Sequence, residues 1–280
     1  MSRCLCLSLT LSCLCLLLLD SRAIADDAVL LKYKFADGEK LRWQVSEQVV
    51  VKTTMRGTTQ VAKTSGTSIK QWDIKSLGEE GSVTFEHMVE SVNMKMWLTG
   101  RDEISYNSKT DAKPPEQYKG VAENVGRPLS QVTMDAHGKV VERKSIVDTP
   151  QIASRQIAMP LPSKPVKVGE SWTRPFDISV KLRSGATKSI KARQKFTLLA
   201  VKDDVAQIKL DTQILTPVTD AEIESQIIQR KTSGTANFDI AKGRFTKIEL
   251  SLDDSVHQFR GPDSVMHYKM KFVEQLLSAS

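Results

Sequence analysis

The chain has 280 residues, with 40 Lys and Arg against 33 Asp and Glu, a formal charge of +7 that is too mild to define a partner by itself. Its four cysteines, Cys4, Cys6, Cys13 and Cys15, all fall near the start. The chain beyond them therefore has no disulfide framework, no thiolate nucleophile and no thiolate metal site.

Arg3 precedes an uncharged run from Cys4 to Leu19, Asp20-Ser21-Arg22 breaks it, and Ala23-Ile24-Ala25 supplies small residues. That is the layout of a cleavable secretory signal over residues 1–25, read through Ala23, Ala25 and Asp26, with cleavage before Asp26. As a helix the run would span roughly 24 Å, short of a ~30 Å hydrocarbon core, so a retained anchor is the weaker alternative. A lipidated Cys13 is another, although Thr10 stands where such a site wants leucine. An exported chain of this size without disulfides points to the periplasm or exterior of a bacterium.

Strict alternation then takes over. Leu41, Trp43, Val45, Glu47, Val49 and Val51 share one parity, and their neighbours are mostly Arg, Gln and Ser. Such segments have a dry and a wet face, as antiparallel strands do. Long strands are expected over 41–55, 58–76 and 82–98, separated by turns at Arg56-Gly57 and Gly78–Gly81. Within the third, Val83, Phe85 and Val89 are odd but Val92, Met94, Met96 and Leu98 are even. A bulge near Val89–Asn93 would restore one dry face, and strands this long should form a strongly bent sheet.

A helix is expected from Glu116 to Val125, after Pro114-Pro115, with Tyr118, Val121, Ala122 and Val125 on one stripe and Gly126 as its stop. A second, near 150–159, would start at Asp148-Thr149-Pro150. Further alternating strands follow from Trp172, from Val205 to Leu215, and from Met266 to Leu276.

An internal echo suggests two related halves. Asp37-Gly38-Glu39 leading to Trp43 resembles Gly169-Glu170-Ser171-Trp172, and the turn Met134–Val140 resembles Phe238–Phe245. The expected layout is an N-terminal β-unit over 26–160 and a C-terminal β-unit over 161–280. The fold class is mainly β, with long curved antiparallel sheet in two related halves and one to three short helices.

The stretch Leu161-Pro162 through Pro165-Val166-Lys167-Val168-Gly169-Glu170-Ser171-Trp172, with the hairpin Met134-Asp135…Gly138-Lys139, resembles a motif of uncharacterised secreted bacterial proteins that carry a domain of unknown function. The resemblance implies an envelope β-protein and brings no catalytic residues with it.

Candidate sites are few. His87, His137, His257 and His267 show neither helical nor strand spacing for a metal. No Gly-x-Ser-x-Gly elbow and no phosphate-binding glycine loop is present. The adjacent pairs Asp203-Asp204 and Asp253-Asp254 point to opposite faces if extended and cannot share a proton relay.

Two features remain. Lys181, Arg183, Lys188, Lys191, Arg193 and Lys195 form an acid-free basic hairpin, expected to share a wet face and to suit lipid headgroups or an anionic envelope polymer. A solvated strand face that deters edge pairing is the plainer reading. Met88, Met94, Met96, Leu98, Met266 and Met270 suggest an adaptable apolar face, with ordinary core packing as the alternative. Glu47 falls on the dry face and would need a partner if buried.

Together these suggest an exported, non-enzymatic protein that holds an apolar or amphiphilic ligand on a curved sheet. The alternative is a structural or protein-interaction module without a small ligand. No cofactor, no nucleic acid and no membrane span after cleavage are expected.

Overall fold

A computed structural model of the chain describes residues 28–147 and 156–278. The expected signal segment with Ala23, Ala25 and Asp26, and most of the expected 150–159 helix, lie outside these residues. Gln156 to Met159, at the end of that range, are not helical.

The first three strands match the alternation closely: β1 (Lys40–Met55), β2 (Thr58–Leu77) and β3 (Val83–Leu98). They are followed by β4 (Ile104–Asn107), β5 (Pro128–Met134), β6 (Val140–Ser145), β7 (Ser171–Lys181), β8 (Thr187–Lys202) and β9 (Val205–Ile214). The chain ends in β10 (Ser233–Asp239), β11 (Arg244–His257) and β12 (Val265–Leu276). The β1–β2 turn places Arg56 and Gly57 at φ 49 and 75, and the β8–β9 turn places Asp203 and Asp204 at φ 50 and 58. Two left-handed residues match the twist of the flanking strands, which suits two-residue hairpins.

All twelve strands belong to one antiparallel sheet, in the order β6-β5-β3-β2-β1-β12-β11-β10-β9-β8-β7, with β4 added to β3. The chain winds outward from β1 to one edge at β6, crosses to the far edge at β7, and winds back until β12 pairs with β1. The expected boundary at 160 falls in that crossing, and the two segments it separates meet at the centre of a shared sheet.

The two echoing turns are alike in detail. Glu39 accepts a hydrogen bond from the amide of Ala36 at 3.1 Å, and Glu170 accepts one from the amide of Lys167 at 2.9 Å. Gly38 and Gly169 both take positive φ, 69 and 89. Each turn launches a strand that carries a tryptophan. Beyond this local likeness, what the structure shows is a single sheet.

The sheet curls strongly at one end. Tyr33 donates its amide to Ala136 O in the β5–β6 turn at 2.8 Å, and its neighbour Lys34 donates to Gly243 O in the β10–β11 turn at 3.0 Å. Between β5 and β11 lie five strand-to-strand steps, roughly 24 Å along a flat sheet. Two adjacent residues can span only about 10 Å including their hydrogen bonds, so the sheet must bend to bring the two turns together.

The residues inside this bend form the main core. Leu31 and Tyr33 of the N-terminal strap are buried against Trp43, Trp72, Phe85, Val132, Phe196, Ile208, Phe238 and Phe245. Trp72 stacks on Phe85 with centroids 4.4 Å apart, a geometry worth about 0.5–1.5 kcal/mol beyond the area it buries. The crossing segment seals the same end: Val166 bridges Val29, Leu161 N–H bonds His137 O, and Tyr33 Oη donates to Met159 O at 2.9 Å.

Two short helices sit on the inner face. The first is shorter than expected: a 3-10 turn at Glu116–Tyr118 runs into α1 (Lys119–Ala122). Its stripe is nonetheless as expected, with Tyr118, Val121, Ala122 and Val125 packed with Val92 and Tyr106. The second, α2 (Ala221–Ile227), was not expected. Asp220 caps it by accepting from Glu222 N–H at 2.8 Å, and Ile223 and Ile227 bury one face.

Candidate functional site

Strand pairing defines which side chains face inward. Opposite one another run Met94, Gly66, Glu47, Phe272 and Leu250, then Met96, Thr64, Val49, Met270 and Leu252, then Leu98, Ala62, Val51, Tyr268 and Asp254. Met266 lies opposite Thr53 in the following row. The structure thus brings Met94, Met96, Leu98, Met266 and Met270 onto one inner face.

The expected bulge is what makes this possible. Ile69 pairs with Ser91 and Lys70 with Val89, so Glu90 is the extra residue on β3. Glu90 turns outward to a bidentate contact with Arg42, at 2.8 and 2.7 Å. Met88 lies before the bulge, opposite Gln71, and so belongs to the outer face. Its grouping with the other methionines is corrected by the very bulge that aligns them.

The inner face has a dry closed end, two apolar sides and a wet middle. On one side, Met94 and Met96 pack with Tyr106, Tyr118 and Val121. On the other, Met270, Leu252 and Val256 pack with Ile228 after α2, joined by Val49 and Phe272. Lys231 holds α2 in place by reaching Glu224 at 2.9 Å and Asp254 at 3.0 Å. Between the sides, Glu47 and Thr64 are exposed although they lie on central strands. Glu47, expected on the dry face, is therefore solvated and has no ion-pair partner among the described residues.

Gly66 lies next to them. A Cβ there would meet only Met94 Cγ at 3.8 Å and Asn93 O at 4.0 Å, which is ordinary contact. The strand does not require glycine at this position, and the Met94 side chain already stands at van der Waals distance from where a Cβ would lie. Gly234 is different, since a Cβ would lie 1.9 Å from Glu249 O.

Toward the closed end the floor becomes polar. Lys70 Nζ meets Glu274 at 2.6 Å, with side chains 16% and 14% exposed, and stands 4.7 Å from the Trp43 ring centroid. Burial, and then the charge of Glu274, push the Tyr33 phenol well above its ordinary pKa. Burial, and then the charge of Glu47, likewise raise Tyr268 at the far end. Lys70 and Glu274 escaped the sequence reading. The signal was present, because Lys70 is in phase with Trp72 and Ile74.

Two open depressions lie on the outer face of the sheet instead. One, about 490 Å3, is framed by Thr235, Glu249, Ser251, Asp253, Lys269 and Lys271. The other, about 410 Å3, is framed by Gln48, Val50, Lys63, Ser65, Lys95 and Trp97. Both are open to solvent, and neither belongs to the methionine strip.

The basic hairpin does not form one surface. Lys181, Lys191, Arg193 and Lys195 lie on the outer face, where Lys191 faces Asp177 and Lys195 faces Asp211. Lys188 pairs with Val180, in phase with buried Ile178 and Ile190, and so belongs to the opposite face. Arg183 leaves the strand and contacts Glu222 of α2. The shared wet face is corrected by parity, since 188 is even where 181, 191, 193 and 195 are odd.

No group of three or more His, Cys, Asp or Glu that could hold a metal occurs among the described residues. No described helix is long and apolar enough to cross a membrane.

A family of unknown function (DUF6263) matches residues 151–243, from the crossing segment through β10. None of the curated proteins matches the chain. Among solved structures, one titled "Lipid-protein interactions in lipovitellin" is similar with a TM-score of 0.45 and 13% identity, covering 88% of this chain and 26% of that one. This chain thus spans about a quarter of the length of that relative.

Proposed function

We propose that this protein is a non-enzymatic binder that holds an apolar or amphiphilic molecule on the inner face of its curved sheet, and that it does so outside the cytosol. The observation that carries the reading is the wet, half-apolar middle of the inner face. Val49, Met94, Met96, Leu98, Met266 and Phe272 remain partly exposed there, around exposed Glu47 and Thr64. Ordinary monomers bury such a strip, because each buried apolar side chain contributes about 1.5–3 kcal/mol. Methionine suits a site that must take chains of varying shape. A polar group on the ligand would lie toward Glu47 and the Lys70–Glu274 pair, with its chain along the methionines.

Export rests on the leader-like residues 1–25 and on the cysteine-free remainder. The reading without a small ligand is favoured by one observation, that both depressions open on the outer face and neither is enclosed.

Titration of the protein with a dansylated long-chain fatty acid tests the proposal. A saturable fluorescence increase is expected, weakened about tenfold or more by Met96→Glu, which places a charge in the strip. An unchanged titration in that variant, with its fold intact by circular dichroism, would overturn it.

A further inference from the structure

Outside the β7–β8 hairpin, whose Lys181, Lys191, Arg193 and Lys195 also face outward, several charges of the outer face are paired. Arg42 meets Glu90, Lys75 meets Asp73 and Glu86, Lys247 meets Glu249, and Lys209 meets Asp211. Pairing falls short at the end away from the strap, on β3, β2, β1 and β12. There Lys63 and Lys269 flank Val50, Lys95 and Lys271 flank Ser65 and Gln48, and Lys52 faces His267. All five lysines are exposed. Asp253 is the acid that reaches them from β11, and Glu103 the one that reaches them from the chain after β3. Lys52, Lys63 and Lys271 have no ion-pair partner among the described residues.

We infer that this end of the outer face docks onto an anionic lipid surface. The lysines stand on four neighbouring strands about 4.8 Å apart, so they form a patch roughly 14 Å across. No two of them are directly opposite, which avoids the pairings that would most destabilise the sheet. The patch also carries an interfacial element. Trp97 is half-buried on the outer face with Lys63 Nζ 5.1 Å from its ring centroid, and Met55, in phase with the inner face, is 41% exposed at the rim beside the β1–β2 turn. Amphipathic and apolar groups beside lysines fit the boundary between headgroups and chains better than they fit a soluble polyanion. The same strands carry the methionine strip on their other side. A bilayer against this rim would therefore sit at the unsealed end of the inner face. The choice of lipid as partner rests on the ligand reading above, whereas the patch itself does not.

Flotation of the full chain with vesicles tests this, using phosphatidylcholine containing about 30% phosphatidylglycerol against phosphatidylcholine alone. Binding is expected for the anionic vesicles, and K52Q/K63Q/K271Q should weaken it about 100-fold. K181Q/K188Q/K191Q removes the same charge from the β7–β8 hairpin and should leave it within about twofold. Equal loss in both variants would overturn the inference, as would binding to soluble dextran sulfate without binding to vesicles. The dansyl fatty acid titration of K52Q/K63Q/K271Q is expected to match wild type. Failure of the fatty acid titration in wild type with vesicle binding intact would sink the ligand reading alone.

Discussion

Lys70 and Glu274 are 204 residues apart in sequence and 2.6 Å apart in space, meeting across β1 on the inner face. The pair joins β2 from the first half of the chain to β12 from its end. It also closes the polar end of the candidate site, with the Trp43 ring beside the ammonium. Removing one partner strands a charge in a half-dry setting. Glu274→Gln should therefore cost about 2–3 kcal/mol, somewhat less than the 3–5 kcal/mol of a fully buried pair. At this chain length that is a fall in melting temperature of roughly 4–10 °C, read by thermal denaturation. The double variant Lys70→Met/Glu274→Leu should be closer to wild type than Glu274→Gln.

Two glycines should respond oppositely to the same substitution. Gly66→Ala adds a methyl in open contact range and reduces unfolded-chain freedom, so it should be neutral or stabilising by up to about 1 kcal/mol. Gly234→Ala drives a Cβ into the Glu249 carbonyl and should destabilise by about 1–3 kcal/mol or more. Urea unfolding midpoints separate them. Gly66→Leu should in addition set a bulky side chain against Met94 in the strip and weaken fatty acid binding.

The bulge at Glu90 makes a sharp distinction between two methionines. Met88→Glu, on the outer face, should leave fatty acid binding within about twofold, where Met96→Glu weakens it about tenfold. Equal effects would mean that the strip is not the binding surface.

Hydrogen bonding from His267, at 2.6 Å, followed by that from Lys269, holds the Asp253 carboxyl below its ordinary pKa. A depressed folded-state pKa contributes stability that is present above the unfolded carboxylate value near 3.9 and is lost as pH falls through the lower folded value. Asp253→Asn should therefore flatten the acid limb of a melting-temperature titration below about pH 4 and leave the limb above pH 8 in place. An unchanged acid limb would contradict this.

Much of the fold was legible because one face of each long strand is wet. Alternation gave β1, β2 and β3 nearly to the residue, and the parity change after Val89 announced the bulge. Alternation cannot say which strand lies beside which, so the β1–β12 pairing and the single sheet were hidden. It also misplaces a residue when parity is not counted through a turn or a bulge, as with Lys188 and Met88. α2 escapes a reading by periodicity although Asp220 caps it and Ile223 and Ile227 share a face, because seven residues with two buried positions are too short to show a helical repeat. The lysine patch is invisible to a sequence scan for the same reason as the Lys70–Glu274 pair: its members come from strands far apart in the chain.

The most direct test is native mass spectrometry of the protein purified gently from its own source. The account predicts a bound species of acyl-lipid mass on the wild-type chain, reduced or lost in Met96→Glu. A wild-type chain that arrives bare, under conditions in which a known lipid carrier retains its cargo, would contradict it.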